Sequence, residues 1–156
     1  MKSSLVVANR FLQLAEARGD SLTPMQLLKL VYIAHGWMLG LHGRPLVSDE
    51  VQAWQYGPVI PALYAKLRSY KGNSVSEPIS VVNDHEVLDL VEDDIIEQVY
   101  DLYGSLSGMA LSRITHAKGT PWSQIYEIGS FGRVIPIDLI EDHYRRLDKN
   151  RAATAN

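Results

Sequence analysis

Five histidines are the side chains of this sequence best suited to chemistry near neutral pH. His35 and His42 are seven residues apart, close to two helical turns, a spacing that could place two zinc ligands on one helix face. The helix that carries His35 is predicted to end near Gly40, however, and no acidic residue lies beside either histidine. We therefore predict no metal site and expect His35 to be a buried, hydrogen-bonding side chain.

Patterns typical of catalysis or of cofactor binding do not occur in the sequence. There is no cysteine, no serine lies in a Gly-x-Ser-x-Gly elbow, and no glycine cluster has the spacing of a phosphate loop. We predict no catalytic residue and no cofactor. His116, in segment 115–122, has two interpretations. It could form part of a partner pocket with Trp122, or, as we favour, tie the end of one helix to the start of the next.

An acidic segment is a first candidate for partner binding. Eight carboxylates and no lysine or arginine occur between residues 84 and 101. The helix dipole favours those near the predicted helix start, but the charges farther along one face repel one another. Two interpretations stay open: a solvated face, or a docking surface that speeds association with a basic partner. The residues of this surface are Asp93, Asp94, Glu97 and Asp101.

Aromatic residues near the middle of the chain form a second candidate surface. Trp54 and Tyr56 precede the bend at Gly57-Pro58, and an exposed tryptophan or tyrosine is a natural binding anchor. If this segment is a strand with one face on the core, the sequence leaves open which face is outside. We include Trp54, Tyr56, Gly57, Pro58 and His116 among the candidate partner-binding residues.

The elements that would position these residues are mostly helical. One helix begins after Thr23, with Pro24 at its first position and Gln26 completing a capping box. It is apolar on nearly every side, since only Gln26, Lys29 and Gly36 form a narrow polar stripe, and we predict that it is the buried centre of the fold. Other helices are predicted at residues 4–18, from 58 or 61 to 70, and at 88–103, 107–117, 120 onwards and 135–148.

The remaining elements are a small sheet and a terminal tail. An antiparallel hairpin is predicted from residues 46–47 and 51–56. Because two strands alone are marginal in water, a third short strand is expected at 79–82 or 134–135. Residues 149–156 have nothing to bury and are expected to be disordered. The predicted fold class is therefore mainly α, with about six or seven helices around a buried central helix and a small antiparallel β-hairpin or sheet.

Size, composition and charge are those of an ordinary globular domain. Of 156 residues, 46% are hydrophobic and 21% charged, and we assign residues 1–148 to a single domain. No apolar run approaches the roughly 20 residues of a membrane span, and the lack of cysteine suits the cytoplasm. Residues 1–80 carry 8 Lys/Arg against 5 Asp/Glu, and residues 81–156 carry 7 against 13. Because this pattern lacks a concentrated basic face, we expect no nucleic-acid binding, and because no apolar run is long enough we expect no membrane partner.

Three segments carry a resemblance to a known family. Residues 36–70 read GWMLGLHGRPLVSDEVQAWQYGPVIPALYAKLRSY, residues 23–32 read TPMQLLKLVY, and residues 115–122 read THAKGTPW. In order and spacing these segments resemble the Panacea domain family, which contains the SocA-like antitoxins and the phage-associated proteins labelled GepA. The resemblance extends from about Val6 to Leu147.

The resemblance implies the antitoxin of a bacterial or phage-borne toxin–antitoxin pair, which neutralises a cognate protein toxin by direct contact. Within the family an antitoxin can also be a proteolytic adaptor that delivers its toxin to the ClpXP protease, and the residues leave open whether this chain is an adaptor or only a blocker. Two alternatives stay open. A DNA-binding regulator of its own operon could use residues 23–40 in a helix-turn-helix, although this helix lacks a row of polar side chains to read bases. A small-molecule enzyme is the third reading.

Overall fold

The computed structural model describes residues 1–82 and 85–154 of the chain. Within them it has seven α-helices and a small three-stranded antiparallel sheet, so the predicted fold class is confirmed. The helices are α1 (Ser4–Ala17), α2 (Pro24–His42), α3 (Pro61–Leu67, continued by a 3₁₀ turn at Arg68–Tyr70), α4 (Leu90–Tyr103), α5 (Gly108–His116), α6 (Pro121–Ile125) and α7 (Ile137–Thr154). The strands are β1 (Gln52–Trp54), β2 (Gly57–Val59) and β3 (Arg133–Val134).

Helix α2 is the buried centre of the fold, as its sequence predicts. Thr23 and Gln26 form the expected capping box at its start. Helices α1, α4, α5 and α7 all pack against it. Helix α7 approaches α2 closely because Gly36 and Gly40 have no side chain, and a Cβ atom at either position would overlap Tyr144.

Two helices extend beyond their predicted ends. Helix α2 does not stop near Gly40 but continues to His42, and the next residue, a glycine with φ of 66°, ends it. A glycine inside a helix costs only about 1 kcal/mol, which the packing of α7 can offset. Helix α7 continues to Thr154, and the guanidinium of Arg151 lies over the Trp37 ring, 5.3 Å from its centroid. Residues 155–156 of the expected tail lie outside the described residues.

The sheet differs from the predicted hairpin. Strands β1 and β2 form a tight hairpin in which Ala53 lies opposite Pro58, and β3 pairs with the other side of β1. The prediction that residues 46–47 pair with 51–56 is wrong, because Val47 instead forms a parallel bridge with Lys2. The third strand lies at the second of the two predicted positions, where β3 spans residues 133–134.

His35 fixes the segment that follows α2. Its Nδ1 accepts hydrogen bonds from the backbone N–H groups of Leu46 and Val47, each at 3.3 Å. Burial lowers the pKa of His35 to about 4, so the imidazole is neutral at physiological pH and can accept both bonds. The predicted role as a buried hydrogen-bonding side chain is confirmed.

Candidate partner-binding site

The Tyr56-Gly57-Pro58 turn lies against α2 and α5. Gly57 has a φ of 123°, a conformation that residues with a side chain rarely adopt, and a Cβ atom there would lie 2.7 Å from Nζ of Lys29. The Ser112 hydroxyl of α5 donates a hydrogen bond to the carbonyl of Tyr56 at 2.7 Å. The turn therefore requires glycine and is held from two sides.

Lys29 is a buried cation beneath this turn. The residue is only 3% exposed, and Nζ donates to the backbone carbonyls of Pro58 at 2.9 Å and of Tyr56 at 3.4 Å. No carboxylate in the described part of the chain forms a salt bridge with it. Burial lowers the pKa of Lys29 to about 8, because the ammonium is poorly solvated there. The polar stripe predicted on α2 is thus covered by the hairpin at this point.

An open groove of about 590 Å³, here called the aromatic groove, is lined by several aromatic side chains and by Lys29. The Trp54 ring packs edge-on against Tyr64, with ring centroids 4.9 Å apart, and lies 5.1 Å from Phe131. Its indole N–H donates to the Gln52 side chain at 2.9 Å, which fixes the ring orientation. Because Ala53 faces the core, Trp54 lies on the outer face of the hairpin, and this settles the orientation that the sequence left open.

The aromatic groove combines exposed rings with positive charge. Tyr56 is 66% exposed and Phe131 is 77% exposed, although both are large rings that could be buried. Arg68 and Lys71, just after α3, join Lys29 as the charged residues of its lining, and no carboxylate lies among the described residues that line it. The groove is therefore apolar on its walls and cationic on its floor and one side.

His116 and Trp122 support the hairpin and do not line the aromatic groove. The Trp122 indole N–H donates to the carbonyl of Trp54 at 2.6 Å. The His116 ring packs edge-on against Trp122 at 5.4 Å, and its Nδ1 lies 3.2 Å from the Ser112 hydroxyl. Since Ser112 also binds the Tyr56 carbonyl, this network joins the end of α5, the start of α6 and the turn. The favoured interpretation of His116 agrees with this geometry.

The carboxylates of α4 are mostly paired with arginines of α1. The salt bridges are those of Arg10 with Asp93 (2.6 Å) and Glu97 (3.1 Å), and of Arg18 with Asp101 (2.6 Å). Asp94 accepts a hydrogen bond from Gln98, one turn away on α4. These arginines remove the repulsion expected from like charges on one face. None of the four candidate carboxylates lines the aromatic groove, and Asp84 of the acidic segment lies outside the described residues.

Of the residues proposed from sequence, Trp54 and Tyr56 line the aromatic groove, while Gly57 and Pro58 shape its hairpin. Lys29 and Phe131 were not among those candidates. For Lys29, the available signal in the sequence was a lone lysine on an otherwise apolar helix. Phe131 lies in a loop between Gly129 and Gly132, both with positive φ, and these glycines were the available signal of a loop.

A helical domain that exposes an aromatic groove is typical of proteins that act by binding other proteins. In the described residues, no group of three or more histidine or acidic side chains could hold a metal ion, and no helix is long and apolar enough to cross a membrane.

The chain belongs to the family described as Antitoxin SocA-like, Panacea domain, whose model matches residues 27–123. It is similar to Antitoxin SocA of Caulobacter vibrioides (strain NA1000 / CB15N), with 34% identity over 130 residues, covering 76% of this chain and 68% of that protein. No solved structure matches the chain significantly. Family membership supports an antitoxin role.

Proposed function

We propose that this chain is the antitoxin of a toxin–antitoxin pair and that it neutralises a cognate protein toxin in the cytoplasm by direct contact. Its family and its SocA relative support the antitoxin role. The observation that carries the proposal is the aromatic groove, where Tyr56 and Phe131 are largely exposed. Large aromatic rings often dominate the energy of an interface because they bury much apolar area at a low entropic cost.

The aromatic groove is preorganised for binding at Trp54. Trp54 is held by its hydrogen bond to Gln52 and by the rings beside it, and its carbonyl accepts a bond from Trp122. A partner would therefore not have to order the Trp54 side of the groove on binding, which lowers the entropic cost of association. By contrast, most of the candidate carboxylates of α4 already have arginine partners. We therefore propose the groove, and not the acidic face, as the main contact with the toxin.

The two alternative functions fit the geometry less well. A DNA-binding regulator would need a free recognition helix, yet α2 is buried along most of its length and has no face for the major groove. An enzyme would need acid, base or nucleophile groups where a substrate binds. The described lining of the aromatic groove contains no carboxylate and no histidine, and its buried Lys29 is held by two backbone carbonyls beneath the turn. We therefore propose a non-catalytic role.

The test is co-expression with the protein encoded by the neighbouring reading frame. That protein alone should arrest growth, and co-expression of this chain should restore it and yield a complex that co-purifies. Persistent arrest when both proteins are present at equal levels would contradict the proposal. A neighbouring protein that does not arrest growth when expressed alone would contradict it as well.

The half-life of the toxin in the co-expressing cells distinguishes a blocker from a proteolytic adaptor. We propose that the chain acts at least as a blocker, since a preformed groove can cover a toxin surface without further partners. If it also delivers the toxin to ClpXP, the toxin should be short-lived when the chain is present and stable when ClpX is absent. Equal toxin half-lives in the two strains would leave blocking as the mechanism.

A further inference from the structure

We propose that the aromatic groove receives a short extended segment of the partner protein, in which an aromatic or branched apolar side chain lies next to a carboxylate. This inference rests on the proposed function and specifies what the site recognises. Three features of the groove carry it: its size and exposed walls, its one-signed charge, and the backbone conformation of one rim residue.

The size and walls of the groove suit a few side chains of a larger partner. About 590 Å³ lies within the range of sites that enclose a small ligand, so it can take one or two large side chains but not a whole helix. The exposed apolar surface continues past the groove, since Ile128, in the same loop as Phe131, is 97% exposed. A partner that reaches beyond the groove would bury this surface as well, which a small metabolite would not do.

The charge of the groove specifies a carboxylate. Lys29 is buried with only backbone carbonyls as partners, and such an ammonium is incompletely compensated. Arg68 and Lys71 are exposed and have no salt bridge within the described residues. An acidic side chain entering beside an apolar anchor would meet the exposed Arg68 and Lys71 and no opposing carboxylate, and the charge of the buried Lys29 would add to their attraction. Complementary charge of this kind selects the partner and fixes its orientation.

The backbone of Lys71 supports the same site. Lys71 is the one non-glycine residue among those described with a positive φ, at 55°. This conformation is strained for a residue with a side chain, and such strain occurs preferentially at binding and active sites. The strained residue Lys71 is itself one of the cations that line the groove.

A nucleic acid is the less suitable occupant. Phosphates on the outside of a duplex could reach the exposed Arg68 and Lys71, but Lys29 lies on the floor beneath the turn. The chain as a whole has a net charge of −3, which opposes the binding of a polyanion. We therefore do not propose DNA as the occupant, and a DNA duplex is included as a probe in the binding experiment.

Peptide binding tests the inference without the toxin. Nitrogen-15-labelled protein would be titrated with capped peptides that contain a central phenylalanine flanked by glutamates, the same peptide with lysine flanks, and the glutamate peptide with alanine at the centre. A short DNA duplex is the fourth probe. The Trp54 indole N–H reports on the groove, and that of Trp37, which binds Tyr103 in the core, is the internal control.

We expect the glutamate–phenylalanine peptide to shift the Trp54 signal saturably, with a Kd below about 1 mM, and to leave Trp37 unchanged. The lysine-flanked and alanine peptides should bind at least about tenfold more weakly, because each lacks one of the two recognised groups. Equal or tighter binding of the lysine-flanked peptide or of the duplex would overturn the inference. So would the absence of any Trp54 shift at millimolar peptide.

Charge reversal at the rim provides a matched comparison. The double variant Arg68→Glu, Lys71→Glu should weaken binding of the acidic peptide by about tenfold or more. The double variant Lys66→Glu, Lys118→Glu makes the same change in net charge at two exposed positions outside the groove and should change binding less than about twofold. Equal effects would overturn the inference. Peptide binding and growth rescue are separate readouts, so rescue without peptide binding contradicts only this inference, and peptide binding without rescue contradicts only the proposed function.

Discussion

The buried ammonium of Lys29 should make the folded protein more stable at alkaline pH than at neutral pH. Its pKa is about 8 in the folded protein against an ordinary value of 10.5. Between these values the unfolded chain binds more protons than the folded one, so raising the pH favours folding. The full difference corresponds to about 3 kcal/mol, and between about pH 7.5 and 10 we expect a gain of about 2 kcal/mol.

The assay is urea unfolding at these two pH values, followed by tryptophan fluorescence, for the parent and for Lys29→Met. Methionine has a similar length and no charge, so the variant should lack this gain. Tyr32 and Tyr144, whose pKa values are raised by burial, oppose stability at high pH equally in both proteins and cancel in the comparison. The exposed Lys66→Met should behave like the parent. Parallel pH profiles for the parent and Lys29→Met would show that the Lys29 ammonium does not cause the gain.

Three further predictions concern the core, the acid response and the α4 face. Trp37→Ala should lower the free energy of unfolding by about 3–5 kcal/mol, because Trp37 is buried and packs on Tyr144; a melting temperature within a few degrees of the parent would contradict this. Between about pH 6.5 and 4 the parent should lose about 3 kcal/mol of stability, since the neutral, buried His35 resists protonation. His35→Gln should abolish that loss, which urea unfolding at both pH values would measure. The variant should also keep growth rescue in the co-expression assay. Asp93→Asn with Glu97→Gln should cost roughly 1 kcal/mol in thermal unfolding by breaking salt bridges to α1, and leave the association rate with the toxin unchanged; slower association would favour the acidic docking surface.

Local patterns were enough to predict most of the helices. The capping box at Thr23, the serine cap at Ser107 and the Thr120-Pro121 start of α6 all depend on a few adjacent residues, and the structure has each of them. The central position of α2 followed equally directly, because a helix that is apolar nearly all round must be surrounded.

The sheet was less predictable because its pairing is not local. Residues 46–47 and 51–56 look like a hairpin, yet the partner of Val47 is Lys2, 45 positions away. The candidate strand at 79–82 failed for a similar reason. The Asn9 side chain binds both the N–H and the carbonyl of Ile79, which occupies the groups that a ladder would need.

The aromatic groove was only half predictable. Trp54 and Tyr56 were evident as an aromatic pair beside a glycine–proline bend. The cationic floor, in contrast, depends on packing the hairpin over α2 at Lys29, and the far wall depends on the loop that carries Phe131. Neither juxtaposition leaves a pattern in adjacent residues. The pairing of the α4 acids with α1 is non-local in the same way, because Arg10 and Asp93 are 83 positions apart.

Toxin binding at the aromatic groove can be measured as the affinity of the purified chain for the protein of the neighbouring reading frame, by isothermal titration calorimetry. We expect Phe131→Ala to weaken the complex by about tenfold or more, because the ring is an exposed anchor of the groove. Leu90→Ala, which removes a similarly exposed apolar side chain at the start of α4, should leave the affinity within about twofold of the parent. Failure of the two proteins to bind, or equal affinities of Phe131→Ala and the parent, would contradict toxin binding at the aromatic groove.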